Sequence, residues 1–487
     1  MLKPTCRQAC ELANEYRVIP VCKEIYADFI TPVAMLPKLA RRSQKYYLLE
    51  SIEGGERWGR YSFLGFNPVV HVTCKNHTVT VKSDSAETKT VYTQNPMDVI
   101  REILAEYKSP QLPEIPPFTG GFVGYFSYEM IGYAEPVLKL KKSDFRDLDL
   151  MLFDKVIAYD HLKQKISVVV NMKAESGEQG YLKAEQEIEQ IIQMITDSAP
   201  FPTEQTDSVP EFACNVTKEE YCSMVEKTKE YIRNGDIFQG VISRRFEIEY
   251  RSSLFNTYRV LRTTNPSPYM FFLQNDDVQL AGTSPETLIK LINGKLSTFP
   301  VAGSRPRGKT QEEDEELERG LLADDKELAE HNMLVDLARN DVGRIAEYSS
   351  VKVEAYQVIH RYSKIMHIAS IVGGKLRRER DACDAIAAML PAGTLSGAPK
   401  VRACQIIDEV EPQARGIYGG AVGYLDFSGN MDMCIGIRMA VKKGDRVYVQ
   451  AGAGIVADSV PETEYEESAN KAMAVMQAIK LASEVNS

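Results

Sequence analysis

The strongest restriction on this chain's fold is a series of strand-like runs closed by glycine turns too short to carry a crossover. Runs over 288–292, 418–426 and 433–441 end in Asn293-Gly294, Ser428-Gly429 and Lys443-Gly444-Asp445. Further runs cover 237–250, 270–273, 278–281 and 446–452. Asn-Gly and related turns join adjacent antiparallel strands, whereas parallel strands need a longer crossover. Earlier runs at 46–50, 69–74, 78–81 and 166–170 read as strands, with helices at about 97–107 and 179–195 and Gly-rich turns at 120–124. Later helices are predicted over about 311–338, 381–389, 399–408 and 461–482. Thr217 and Glu220 form a capping box for another, which Gly235 stops. Hairpins mixed with helices, without strict βαβ alternation, predict an α+β fold.

A chain of 487 residues exceeds what one hydrophobic core ordinarily serves. The stretch 196–217, rich in Pro, Ser, Thr and acids, suggests a division into lobes 1–205 and 206–487. The formal charge of −10 argues against a general nucleic-acid surface and requires local cations for any anionic substrate. Residues 1–20 lack a signal-peptide core, and no stretch is suited to span a bilayer. The nine cysteines are scattered, without C-x-x-C spacing, as expected of a reduced, cytoplasmic protein. A zinc site at Cys6, Cys10 and Cys22 has less support.

Glu327 and Glu330 share a helix face, as do Glu464 and Glu467, with Lys471 one turn beyond. Two carboxylate pairs suit a hard divalent cation such as Mg²⁺. On spacing alone the stronger reading is solvated helix acids continuing the charge run 312–318. The surroundings reverse that balance. The glycine-rich run 451–455 can offer bare backbone N–H groups to an anion. Arg438 stands in an apparently apolar strand and needs an acidic partner or ligand. The turn-rich loop 391–400 supplies another wall.

Several segments, in order, resemble the chorismate-utilising enzymes: GTSPETL (282–288), AEHNMLVDLARNDVGR (329–344), PAGTLSGAPK (391–400), GIYGGAVGY (416–424), CIGIR (434–438) and AGAGIVADSVPETEYEESANKA (451–472). The resemblance is close over roughly 215–480 and looser before it. It implies a two-lobed, intertwined sandwich of largely antiparallel sheets flanked by helices. It also implies Mg²⁺ held by Glu330 and Glu467, supported by Glu327 and Glu464. Arg438 and Tyr418 would hold the enolpyruvyl carboxylate, near the backbone of Gly452, Ala453 and Gly454. Gly303, Ser304, Thr394 and Lys471 would complete the pocket. Glu286 would be the general acid for the departing 4-hydroxyl, and His367 would assist proton removal as pyruvate leaves. Taken alone, His367 reads as a satisfied core histidine.

Two uncharged residues select the reaction within the family. Gln239 stands where water-using members, the isochorismate and salicylate synthases, carry a lysine. It cannot act as a base on water, so ammonia is favoured. Ala302 stands where aminodeoxychorismate synthases carry a nucleophilic lysine, and can form no adduct. Amination at C2 with pyruvate release, giving anthranilate, is therefore expected; aminodeoxychorismate synthesis and a non-catalytic tryptophan-binding subunit are the alternatives. Gly240 and Ser304 depart from the usual branched residue and threonine. LLES (48–51) and NPSPYMF (265–271) match the family's tryptophan-binding segments. They imply feedback inhibition through Leu49, Glu50, Ser51, Pro268, Tyr269, Met270, Val422, Tyr424 and Cys434, with Glu50 pairing the ligand's ammonium. No glutaminase signature is present, so a separate glutamine amidotransferase subunit is expected to supply ammonia.

Overall fold

The computed structural model describes residues 1–51, 59–83, 86–197, 211–361 and 365–485. Among them, two large sheets form, and every strand pairing is antiparallel, as the short glycine turns require. The first sheet places Tyr46–Glu50 between Tyr61–Phe66 and Tyr269–Gln274, then continues through Val278–Ser284, Met439–Lys443, Arg446–Ile455 and Gln239–Glu249. The second runs from Val301–Pro306 and Ile365–Lys375 through Thr287–Ile292, Met431–Ile435, Ala421–Asp426, Gly121–Phe126 and Leu148–Phe153. Both sheets cross the line drawn at 205/206, which itself lies outside the described residues. Of the expected linker, 198–210 is likewise outside them.

Between the sheets lies an aromatic-rich core containing Tyr47, Phe118, Tyr125, Phe153, Phe271, Val422 and Cys434. Helices Gly177–Thr196, Phe255–Thr264 and Pro461–Ala482 cover the outer face of the first sheet. Met97–Glu106, Asp325–Gly343 and Ala382–Met389 cover the second. Each helix buries one apolar stripe; Lys218–Arg233 does so through Tyr221, Met224, Val225 and Thr228, after the predicted Thr217–Glu220 capping box. All nine cysteines are free thiols. No helix among the described residues is long and apolar enough to cross a membrane.

Three local expectations are corrected. The helix expected over 311–338 is two, Gln311–Leu322 and Asp325–Gly343, because the Asp324 carboxylate caps the Lys326 and Glu327 amides at 3.1 and 3.2 Å. The strand expected over 433–441 is also two, in different sheets. Arg438, at φ = +52°, turns the chain from Met431–Ile435 into Met439–Lys443. Residues 121–126 are a buried strand rather than turns. Its glycines permit close approach: a Cβ on Gly124 would lie 2.0 Å from the Asp149 carbonyl oxygen.

Gly124→Ala should therefore destabilise the protein by about 1–3 kcal/mol, the usual cost of overpacking. Gly320→Ala, in an exposed helix with nothing within 4 Å of the new methyl, should stabilise it by about 0.5–1 kcal/mol. Urea unfolding midpoints of the two variants should move in opposite directions.

Candidate active site

The turn at Arg438 aims a guanidinium into the interior, where it donates to the Lys471 carbonyl at 2.9 Å. No carboxylate lies within salt-bridge distance among the described residues; burial pushes the Arg438 pKa down, and Glu467 opposes this only at longer range. A desolvated cation without a counter-charge is the expected signature of an anion subsite. Tyr418 lies beside it, its phenol pushed up to about 12 by burial and therefore a neutral donor. Lys471 closes the rim, its Nζ 2.6 Å from Glu467 and 3.2 Å from the Gly452 carbonyl oxygen.

Gln239 begins its strand under 454, where a Cβ would come within 2.6 Å of its amide nitrogen; only glycine leaves that approach open. The Gln239 side chain is buried, and its carbonyl oxygen has no hydrogen-bond partner among the described residues. Ala453 points the other way, into an apolar cluster with Tyr221 and Ile242, so only its backbone faces the site. The space a branched residue at 240 would take is closed by Ile237 and Thr228, whose methyls stand 3.1 and 3.2 Å from where its Cβ would be.

Glu286 follows the strand Val278–Ser284 and accepts a hydrogen bond from the Thr394 hydroxyl at 2.9 Å. Removal of its carboxyl from solvent pushes it up to about 7; Thr394 and Lys471 work in the opposite direction. It is thus partly protonated at neutral pH, as a general acid must be. His367 lies across from Ser304 in the sheet, and its Nδ1 meets the Gly303 carbonyl oxygen at 3.0 Å. A carbonyl only accepts, so Nδ1 carries the proton and Nε2 is the basic nitrogen. Burial lowers its pKa, keeping the ring neutral. His331 is a contrast: buried, 2.7 Å from Ser370 Oγ, and pushed down to about 4 by desolvation.

The four glutamates approach from two helices. Glu330 is raised by desolvation first, then by the charges of Glu327 and Glu467; Glu464 is raised by desolvation and by Glu467. Mutual repulsion among partly desolvated carboxylates suits a hard divalent cation. The pairs nevertheless stand apart: among the described residues no three His, Cys, Asp or Glu side chains converge on one metal position. Arg305 spans Asp324 at 2.8 Å and Glu327 at 3.4 Å, while Lys471 holds Glu467. Arg305 was missed in the sequence, although it directly follows Gly303-Ser304. Gly303, at φ = +71°, lies against Glu327, whose Oε2 would be 3.0 Å from an added Cβ.

The residues expected to bind tryptophan divide by strand parity. Leu49, Tyr269, Val422, Tyr424 and Cys434 gather in the core between the sheets, with Ser51 and Pro268 at the end of the same strand pair. Glu50 and Met270, direct cross-strand partners, face the opposite side. The Glu50 carboxylate is already occupied by Ser62 (3.0 Å), Tyr258 (2.5 Å) and Arg262 (3.0 Å), so the expected pairing with an ammonium is not what this arrangement offers. The Tyr269 hydroxyl meets Thr287 Oγ1 and Asp432, each at 2.8 Å. It therefore reaches the residue next to Glu286.

Residues 44–477 match the family model described as chorismate binding enzyme. The chain belongs to the chorismate-binding enzymes. Within that family it is 45% identical over 496 aligned residues to anthranilate synthase component 1 of Acetivibrio thermocellus, with 100% of both chains covered. It is likewise 45% identical to anthranilate synthase component 1 of Aquifex aeolicus (strain VF5), over 97% of each. The crystal structure of anthranilate synthase component I from Streptococcus pneumoniae TIGR4 superposes with a TM-score of 0.78 at 36% identity, covering 93% of this chain and 98% of that one. MenF, the menaquinone-specific isochorismate synthase from Escherichia coli, shares the fold at 19% identity, with a TM-score of 0.70 and coverage of 97% and 99%.

If Glu286 acts as an acid, kcat/KM for chorismate should fall as pH rises through about 7, where its proton is lost. The Thr394 hydrogen bond lowers that pKa, so Thr394→Val should move the basic limb to higher pH. Glu286→Gln should remove the limb and cost about 10²–10⁴-fold in kcat. Rate profiles at fixed free-ammonia concentration provide the check.

Proposed function

We propose that this protein converts chorismate and ammonia to anthranilate and pyruvate, with Mg²⁺ as cofactor and tryptophan as feedback inhibitor. The carrying observation is the Glu286–Thr394 contact at 2.9 Å, with Glu286 titrating near 7, in the same site as the unpaired Arg438. Full-length similarity to anthranilate synthase component 1 supports the choice within the family.

Arg438 and Tyr418 bind the enolpyruvyl carboxylate, and Glu327, Glu330, Glu464 and Glu467 would hold the metal. When bound, Mg²⁺ supplies a Lewis acid for the ring carboxylate. Ammonia bonds to C2, the ring double bonds shift, and the C4–O bond breaks as Glu286 delivers its proton to the leaving hydroxyl. Gln239 orients without removing a proton, which ammonia does not require. Neutral His367, through Nε2, assists removal of the C2 proton as the C3–O bond breaks and the ring becomes aromatic; the released enolpyruvate takes up a proton at its methylene carbon to become pyruvate. Ammonia comes from glutamine through a separate amidotransferase subunit. Tryptophan binds between the sheets at Leu49, Ser51, Pro268, Tyr269, Val422, Tyr424 and Cys434, and acts on Glu286 through Tyr269 and Thr287.

Chorismate, Mg²⁺ and ammonium with the purified chain should yield fluorescent anthranilate and equimolar pyruvate. Chelation should abolish turnover, glutamine alone should not support it, and tryptophan should suppress it. A product retaining the enolpyruvyl group would refute the assignment, and turnover indifferent to saturating tryptophan would refute the regulatory part.

A further inference from the structure

One buried ion pair that no step above uses touches three walls of the site. Glu411 and Arg415 are 3% and 2% exposed. The Glu411 carboxylate accepts from Arg415 Nε at 3.0 Å and Nη2 at 2.5 Å, and also from the Ser243 amide and hydroxyl at 2.7 and 2.9 Å. Arg415 then spends its other donors on backbone: Nη2 on the Val241 carbonyl at 2.6 Å and Nη1 on that of Leu395. Its guanidinium carbon lies 4.7 Å from the centre of the Tyr128 ring and 5.7 Å from that of Tyr418.

Three of these contacts, at Val241, Leu395 and Tyr418, end within two residues of a group placed against the substrate. Val241 is on the strand that Gln239 begins. Leu395 follows Thr394, whose hydroxyl sets Glu286. Tyr418 itself lines the carboxylate subsite. A buried ion pair commonly adds little stability over apolar residues of the same volume, so stabilisation alone is a poor account of this one. Its geometry also excludes lysine, which has neither a flat face to stack nor a fork to reach two carbonyls.

We propose that Arg415, locked by Glu411, is a positioning residue that holds Gln239, Thr394 and Tyr418 at the mutual spacing chorismate requires. The role rests on the function proposed above and adds to it a determinant of substrate alignment that never touches the substrate.

The test is steady-state kinetics of the unaltered protein, Arg415→Lys and Tyr128→Leu, with chorismate and ammonium varied separately and melting temperatures recorded. Arg415→Lys should raise the chorismate KM and lower kcat, each by about tenfold or more, as small misplacements do. The ammonium KM should rise less than the chorismate KM, since of the three groups held only Gln239 faces the nucleophile. The basic limb of the pH profile should also move up, because a loosened Thr394 no longer holds down the Glu286 pKa. Tyr128→Leu, which removes only the stacking surface remote from the substrate, should show a smaller rise in chorismate KM, about threefold. A fall in kcat with both KM values and the pH limb unchanged would mean only a smaller folded fraction and would overturn the role. If Arg415→Lys fails to fold, an unchanged chorismate KM in Tyr128→Leu overturns it equally. No turnover by the unaltered protein removes the proposed function and this role together, whereas normal turnover with unaffected variants removes the role alone.

Discussion

Between Ile435 and Met439 the backbone leaves one sheet and enters the other, and the left-handed conformation of Arg438 permits the change of direction. The crossing is pinned on both sides. The Gly419 amide donates to the Gly436 carbonyl (2.9 Å), the Gly436 amide to the Gly420 carbonyl (2.8 Å), and the Thr283 amide to the Arg438 carbonyl (3.0 Å). The next strand on each side carries a different part of the chemistry. Ile435 donates its amide to the Glu286 carbonyl in one sheet, while Met439 pairs with Gly282 in the other. A residue forced out of the ordinary strand conformation at a site of function is where such strain is usually found. Here it brings a guanidinium beside Tyr418 and onto the Lys471 carbonyl.

Charge is arranged around that site in alternation. The chain as a whole is acidic, with a formal charge of −10, yet Arg438, Lys471 and Arg305 bring positive charge to one region. One glutamate of each pair lies directly against one of these cations. Arg305 and Lys471 hold Glu327 and Glu467 in an arrangement whose repulsion is only partly relieved. The neutral members matter as much: Gln239, His367 with its proton on Nδ1, and Glu286 near the midpoint of its titration can each exchange or orient protons without a large electrostatic cost.

Features governed by neighbours in sequence were legible before the fold was known. The glycine turns predict antiparallel pairing, Thr217 and Glu220 predict a helix start, and the glutamate spacing predicts two acidic helix faces. Features governed by distant partners were not. Gly121 and Gly124 look like turn residues because the carbonyls that demand them, those of Leu425 and Asp149, come from other strands. The single strand expected through Arg438 is apolar throughout because both of its halves are buried, which hides the change of sheet. Glu50 looks available in a strand ending LLES, and only the fold brings Arg262 and Tyr258 to its carboxylate. Arg415 was passed over for the same reason, since its carbonyl partners lie 174 and 20 residues away in the chain.

The strand Tyr46–Glu50 lies inside its sheet, bonded on one side to Tyr61–Phe66 and on the other to Tyr269–Gln274, while Gly121–Phe126 is bonded to Ala421–Asp426 in the second. A sheet interrupted at either place would expose two rows of backbone donors and acceptors, an invitation to aggregation. Evolution therefore cannot treat the first third of this protein as a detachable module, to be shed or exchanged for another. Any change there has to be made by altering side chains within an indivisible scaffold, and it is inherited together with the rest of both sheets.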